Sequence, residues 1–457
     1  MRAFSLSALI LLLAPARATA EDTTRVSTQA DIFEWATPGQ VRPLLRRRSV
    51  TTLDSSASTP LSEDPDRPEK FVFTMRTRLD TESGSSFSSD PAQAATFVPG
   101  FERGPVDVVA LTLSARSLFR DHFDASFGRH IVSDATGWAS FDGLSARWRP
   151  GSHTYVEARL GYETRAGMPL ATGTFEADGV LRASREGWAR GAAPDVLALS
   201  AMPYMGAEVG SDLGFLRGSA AYRQSYDPTT NGVSREELGV TLASSPTQRW
   251  SLAAAARYAM HAARMGSLNI DSRHELGRGW STRAHYTFFQ PTFDAASIWN
   301  VFFASPTSAL GSDLRKHWEG GCDIGFGGTL TVLAGSLAAP SSRGSANGYL
   351  ICPTPHGSVD MRASSNLGAP GLARSLLQLG GTREFGASWT VRARAHVWAL
   401  AGAERSELNG AGAGGLLGAR YAFSKRSAGG LDIERNWGPG GDAGARVIGY
   451  LDLGVWP

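Results

Sequence analysis

The chain has 457 residues, with 45 Lys+Arg against 43 Asp+Glu, 52 Gly and two Cys. That even balance excludes a protein held to nucleic acid by net charge, and two cysteines cannot build a disulfide scaffold, an iron–sulfur cluster or a four-cysteine zinc site. Hydrophobic residues make up 42%, too many for a disordered chain, so the length implies two or three ordinary domains or one large β domain.

Residues 1–20 read as a cleaved secretory signal peptide. Arg2 supplies the positive start, Phe4 to Ala14 the apolar run, and Ala18-Thr19-Ala20 the small-residue cleavage pattern before Glu21. The run is too short for a permanent membrane helix, and no later stretch offers eighteen consecutive apolar residues. The expected addresses are therefore periplasmic, secreted or outer membrane. Residues 21–70 read as an N-terminal periplasmic or lumenal extension. Arg46-Arg47-Arg48 and the Pro-containing acidic stretch 60–70 suit a polar segment, and an extra strand near 43–54 is the alternative.

From Phe71 onward the pattern is period two. Phe71, Phe73, Met75 and Leu79 share one face, and Thr74, Arg76, Arg78 and Asp80 the other. The same alternation sets Leu111 and Leu113 against Arg116, and Leu144 and Trp148 against Arg147 and Arg149. It sets Val156 and Leu160 against Arg159, and Leu216 and Tyr222 against Arg217 and Arg223. Tyr286 and Phe288 oppose Arg283, Val391 and Val397 oppose Arg392 and Arg394, and Leu417 and Tyr421 oppose Arg420. Tight turns such as Arg149-Pro150-Gly151-Ser152 and Ser245-Pro246-Thr247 alternate with longer polar links at 81–105, 131–137, 164–196, 227–234 and 291–312.

This is the layout of an all-β, transmembrane, antiparallel up-and-down β-barrel spanning 71–457. It has short periplasmic turns and long outer loops. The expected count is about 18 strands, with 16 as the alternative, since such barrels carry even numbers. A soluble sandwich also alternates, but its core face needs densely packed branched aliphatics. Here the apolar faces mix Ala and Gly with Trp, Tyr and Phe, which suits lipid and aromatic girdles. No repeat of 20–50 residues supports a propeller or solenoid. The ending, VIGYLDLGVWP, alternates as a final strand, with Trp456 penultimate.

Phe127-Gly128-Arg129, Gly137-Trp138 and Phe141-Asp142-Gly143 resemble the "GR…W…FDG" segment of alginate-export-like outer-membrane barrels. That segment covers under a tenth of the chain. The resemblance implies an 18-stranded, basic-lined pore for an anionic polysaccharide, and it places Arg129 in the lumen. The substrate does not transfer, because the rest of the chain matches only in its general alternation.

The pore-lining candidates are Arg76, Arg78, Arg116, Arg129, Arg147, Arg159, Arg217, Arg223, Arg283, Arg392, Arg394 and Arg420. Arg keeps its charge and grips carboxylate or phosphate as a fork, so such a lining favours anions. The competing reading pairs these Arg residues across strands with Glu157, Glu163, Glu208 and Glu237. Lysines number only three (Lys70, Lys316 and Lys425), so a compositional preference for Arg weakens each single case. Cys322 and Cys352 are a candidate disulfide in an oxidising compartment. Phe293 to Asn300 is a candidate constriction.

No haem, zincin or nucleophile-elbow motif is present, so no cofactor, metal or catalytic step is expected; a Ser281/His285 pair is the weak enzyme alternative. The expected function is a porin-like channel for small polar or anionic solutes. Outer-membrane lipid is its surrounding, no nucleic acid is a partner, and homo-oligomerisation stays open. The rival is a structural or receptor barrel plugged by residues 21–70 or 313–356.

Overall fold

The structure is a computed structural model. It describes residues 23–35, 44–61, 69–85, 106–163, 202–228, 231–292, 305–334, 341–367, 373–402, 409–438 and 444–454. The expected signal peptide and the segment Phe293 to Asn300 lie outside the described residues.

The chain makes β1 (Thr23–Trp35), β2 (Leu44–Pro60), β3 (Lys70–Ser85), β4 (Val106–Ser117), β5 (Phe123–Asp134) and β6 (Gly137–Gly151). It continues with β7 (Thr154–Glu163), β8 (Met202–Asp212), β9 (Leu216–Asp227), β10 (Gly232–Thr247) and β11 (Trp250–Ala259). Next come β12 (Arg264–Gly277), β13 (Trp280–Phe289), β14 (Thr307–His317), β15 (Asp323–Leu333) and β16 (Ser341–Thr354). The last are β17 (Gly357–Leu367), β18 (Ala373–Phe385), β19 (Trp389–Ala401), β20 (Gly410–Ser424), β21 (Ser427–Trp437) and β22 (Ala445–Gly454). Each strand pairs antiparallel with its sequence neighbour, and β1 pairs antiparallel with β22. The result is one closed 22-stranded barrel in which every strand is hydrogen-bonded to a strand on either side over part of its length.

The count of about 18 is therefore corrected to 22, and residues 23–35 and 44–60 belong to the wall rather than to an extension. The cause is chemical. The outward positions of β1 and β2 carry Thr24, Thr28, Thr51 and Ser55 in place of large apolar groups, so the alternation has little contrast. Those hydroxyls satisfy one another across the strands, Thr24 with Ser55 at 3.2 Å and Thr28 with Thr51 at 3.1 Å. In β16 (SSRGSANGYLICPT) and β17, Ser, Gly and Ala on both faces blur the pattern in the same way.

Links at one end are short: 152–153, 213–215, 248–249, 278–279, 355–356, 386–388 and 425–426. The strand ends that flank the longest links, 86–105, 164–201 and 290–306, lie at the other end. The outward face is apolar in its middle, with Leu113, Leu144, Leu160, Val209, Leu310, Leu417 and Ile433 all exposed. Trp148, Trp250, Trp280, Trp389 and Phe423 ring the short-turn end, and Tyr162, Tyr258, Phe289 and Trp437 the other. Two aromatic rings bounding an aliphatic band are what a bilayer selects on a barrel exterior.

At the seam, Arg25 of β1 binds Asp452 of β22 through a fork, with Nε to Oδ1 at 2.7 Å. Higher up, Arg446 of β22 binds Asp31 of β1, with Nη2 to Oδ2 at 2.5 Å. The sign order is thus reversed between the two points.

Cys322, in the β14–β15 turn, is bonded to Cys352 on β16, with Cα atoms 4.2 Å apart. The bridge ties two neighbouring hairpins together at the short-turn end. Alkylation of the unfolded, unreduced protein is expected to modify no thiol, and two after reduction. A mass shift of two alkyl groups without reductant would contradict the bridge.

Candidate functional site: a hairpin folded into the lumen

β5 and β6 are joined by only two residues, Ala135 and Thr136. The sequence Asp134-Ala135-Thr136-Gly137 explains the tightness. Asp134 Oδ1 accepts from the Thr136 backbone N–H at 2.9 Å and from its hydroxyl at 2.6 Å, and Gly137 takes a φ of 102°. This turn lies at the long-loop end, where 131–137 was expected to be a polar outer loop. Instead the tip enters the barrel.

The bend has a visible hinge. Gly128, Gly143 and Gly161 stand side by side on β5, β6 and β7. Gly128 has a φ of 128°, and a Cβ there would lie 2.0 Å from the Leu111 carbonyl oxygen. A Cβ on Gly143 would lie 2.1 Å from that of Leu160, and one on Gly161 2.2 Å from that of Asp142. Only glycine lets three adjacent strands approach this closely along one row.

Beyond the hinge the hairpin tip rests on the inner faces of β7 to β11. Those faces are identified by parity, since Leu160, Val209, Leu238 and Val240 point outward and their neighbours inward. Arg223 Nη1 donates to the Trp138 carbonyl at 3.0 Å, and its Nη2 donates to the Thr136 carbonyl at 3.2 Å and to Glu237. Arg159 is bound by three carboxylates: Glu157 at 2.6 Å, Glu208 at 2.7 Å, and Asp134 of the tip. Its side chain is 4% exposed. Gly239 on β10 leaves room for the tip, because a Cβ there would sit 2.2 Å from the Ala135 carbonyl carbon. Ala139, Phe141 and Tyr204, with Val132 against them, form a buried apolar cluster beneath the hairpin, and His130 stacks on Phe141 at 4.7 Å.

Beside the hairpin lies a lumenal chamber of about 1120 Å³. Its lining includes Arg25, Lys70, Arg76, Arg116, Arg147 and Arg149 with Asp54, Asp124 and Glu157. Most of these cations are paired. Arg76 binds Asp54, Arg147 Nε donates to Glu157 at 2.8 Å, and Arg149 binds Asp124. Arg116 has no carboxylate within ion-pair distance among the described residues. A second cavity of about 840 Å³ adjoins the first through Thr23 and Arg25 and adds Arg420, Lys425 and Arg426 against Asp452.

The expected Arg lining thus divides. Arg76, Arg116 and Arg147 meet in the chamber, and Arg159 and Arg223 are latch groups under the hairpin. Arg217 pairs with Asp212 at 2.6 Å, Arg283 with Asp271, and Arg392 with Asp432. Arg78 and Arg394 lie on inward strand positions outside the chamber.

Arg129 is corrected. It shares the outward face with Leu111 and Phe127, donates to Asp142 at 2.7 Å, and reaches the Val108 carbonyl at 2.9 Å. Its parity with Phe127 and its pairing with Leu111 place it outside. The residues that carried the family resemblance are therefore the hinge and tip of the hairpin. Sequence reading missed the inward fold, although a two-residue turn at a long-loop position and three glycines in one row are its signature.

Among the described residues no group of three His, Cys, Asp or Glu could hold a metal ion. His285 lies 3.9 Å from Asp313.

No protein-family model matches the chain, and no curated protein does. Solved structures do. The ferric enterobactin receptor PfeA of Pseudomonas aeruginosa, a mutant form, matches with a TM-score of 0.52 and 11% identity, covering 96% of this chain and 81% of that one. A BenF-like porin from Pseudomonas fluorescens Pf-5 matches at 0.41 and 9% identity, covering 96% and 100%. OccK10 (OpdN) of Pseudomonas aeruginosa matches at 0.44 and 10% identity, covering 95% and 99%. The likeness to PfeA, at 11% identity, shows the fold alone, a closed antiparallel β-barrel of outer-membrane type.

Proposed function

We propose that this chain is an outer-membrane channel for small polar solutes, narrowed by the β5–β6 hairpin and weakly anion-preferring. One observation carries the reading: a closed, lipid-faced wall surrounds a charged chamber that a hairpin from the wall itself constricts. In both segments that a plugged barrel would have used, the described residues are mostly wall. Residues 23–35 and 44–60 form β1 and β2, and 313–317, 323–333 and 341–354 belong to β14, β15 and β16. The anion preference is weak because carboxylates neutralise most lumenal Arg residues. It rests on Arg116 and on the excess of cations at the two adjoining cavities.

Reconstituted in a planar bilayer, the folded protein is expected to give discrete conductance steps, with a reversal potential of anionic sign in a salt gradient. Arg116→Ser is expected to move that potential toward zero without changing folding. A cation-selective pore would overturn the preference. Silence from correctly folded protein would overturn the channel and favour a receptor or structural barrel.

A further inference from the structure

The ladder between β4 and β5 stops early. It runs from Ala115↔Ala125 to Leu111↔Arg129 and no further. Yet β4 continues to Val106, and β5 continues to Asp134. Among the described residues, 106–110 of β4 therefore have no backbone partner on that side, and residues 130–134 of β5 have left the wall. The two stretches have equal length. In the existing register each pair of residue numbers sums to 240, so Val106 would meet Asp134, the last residue before the turn. A bulge on β4 between Val108 and Ala110 shifts the final pairs by one. An open strand edge is a template for pairing, and here the matching strand is tethered beside it.

The docked position also leaves polar groups unsatisfied. Ser225 Oγ and Arg223 Nε are buried on the wall behind the tip, with no hydrogen-bond partner among the described residues. The glycine row supplies a hinge, and the Arg129 side chain holds the Val108 carbonyl in place of a backbone donor.

The geometry points to a second resting place for the hairpin. In it, β5 zips onto residues 106–110 of β4, the tip leaves Arg159 and Arg223, and the lumen widens. The exchange trades ion pairs and a small apolar cluster for backbone hydrogen bonds, and water then reaches the latch charges. This deepens the channel reading by making the hairpin its gate. Hairpin movement itself is measurable whether or not the barrel conducts.

The test uses a cysteine pair, Val106→Cys with Ser133→Cys, in the full chain, whose native sulfurs are already bonded to each other. Neither position belongs to the latch. Mild oxidation is expected to join the pair slowly in the parent. Gly239→Leu, whose side chain occupies the tip's seat, is expected to accelerate joining by about tenfold or more. Arg223→Met serves as a second release variant should Gly239→Leu fail to fold. Release is also expected to raise single-channel conductance. Folded release variants that cross-link no faster than the parent overturn the second position. Faster cross-linking in a barrel that never conducts keeps the moving hairpin and removes the channel.

Discussion

Arg159→Met is expected to lower the stability of the folded barrel more than any other single lumenal substitution. The variant leaves Glu157, Glu208 and Asp134 facing one another without their shared cation. Stranding buried partners of an ion pair costs about 3–5 kcal/mol. The barrel can reduce that cost by lifting the hairpin and admitting water, so the loss of stability and the release of the tip are two faces of one outcome. Denaturant unfolding in detergent, read by tryptophan fluorescence, measures the first. Proteolysis at the 135–136 turn measures the second. Arg159→Lys keeps the charge but not the fork to three acceptors, and it is expected to recover part of the loss. An Arg159→Met protein with the parent's unfolding midpoint and a protected turn would show that the cluster contributes nothing.

Gly128→Val is the second large effect. The backbone there has a φ of 128°, which a β-branched residue adopts only at a cost of about 1–3 kcal/mol. Its Cβ would also press into the Leu111 carbonyl. The variant is expected to yield little heat-modifiable, correctly folded protein. Gly151→Ala is the control. That glycine lies on the neighbouring β6, and a Cβ there meets nothing within 4 Å, so folding is expected to be unchanged. Equal yields from both variants would remove the hinge as the origin of the bend.

Alternation reveals itself only where the two faces of a strand differ in kind. Phe71 to Asp80 announced its strand because Phe, Met and Leu oppose Arg and Asp. The β1–β2 pair did not, because Thr and Ser serve both lipid and lumen once their hydroxyls bond across the strands. The inward hairpin escaped for another reason. Asp134 and Gly137 specify a tight turn, but nothing local says toward which side three glycines will bend the sheet. That direction is decided by Arg159, Arg223 and Gly239, which lie 25 to 105 positions later and come into range only when the wall exists. Arg129 was carried into the lumen by the family resemblance, although simple alternation puts it on the same face as Phe127, two positions before. The partners of the lumenal Arg residues depend on strand register, which composition cannot supply.

The seam between β1 and β22 carries a consequence for assembly. Twenty-one of the barrel's junctions join strands adjacent in sequence, while this one joins residues more than 400 positions apart. Its loop-closure entropy is the greatest in the ring, and contacts of such separation form late. Until then β1 and β22 are the two open edges through which an unfinished barrel could pair with another chain. The reversed signs of Arg25–Asp452 and Asp31–Arg446 act as a two-point check on that last step. A slip of one residue turns each partner to the opposite face of the wall, so a misregistered closure loses both attractions together and reopens more easily than a correct one.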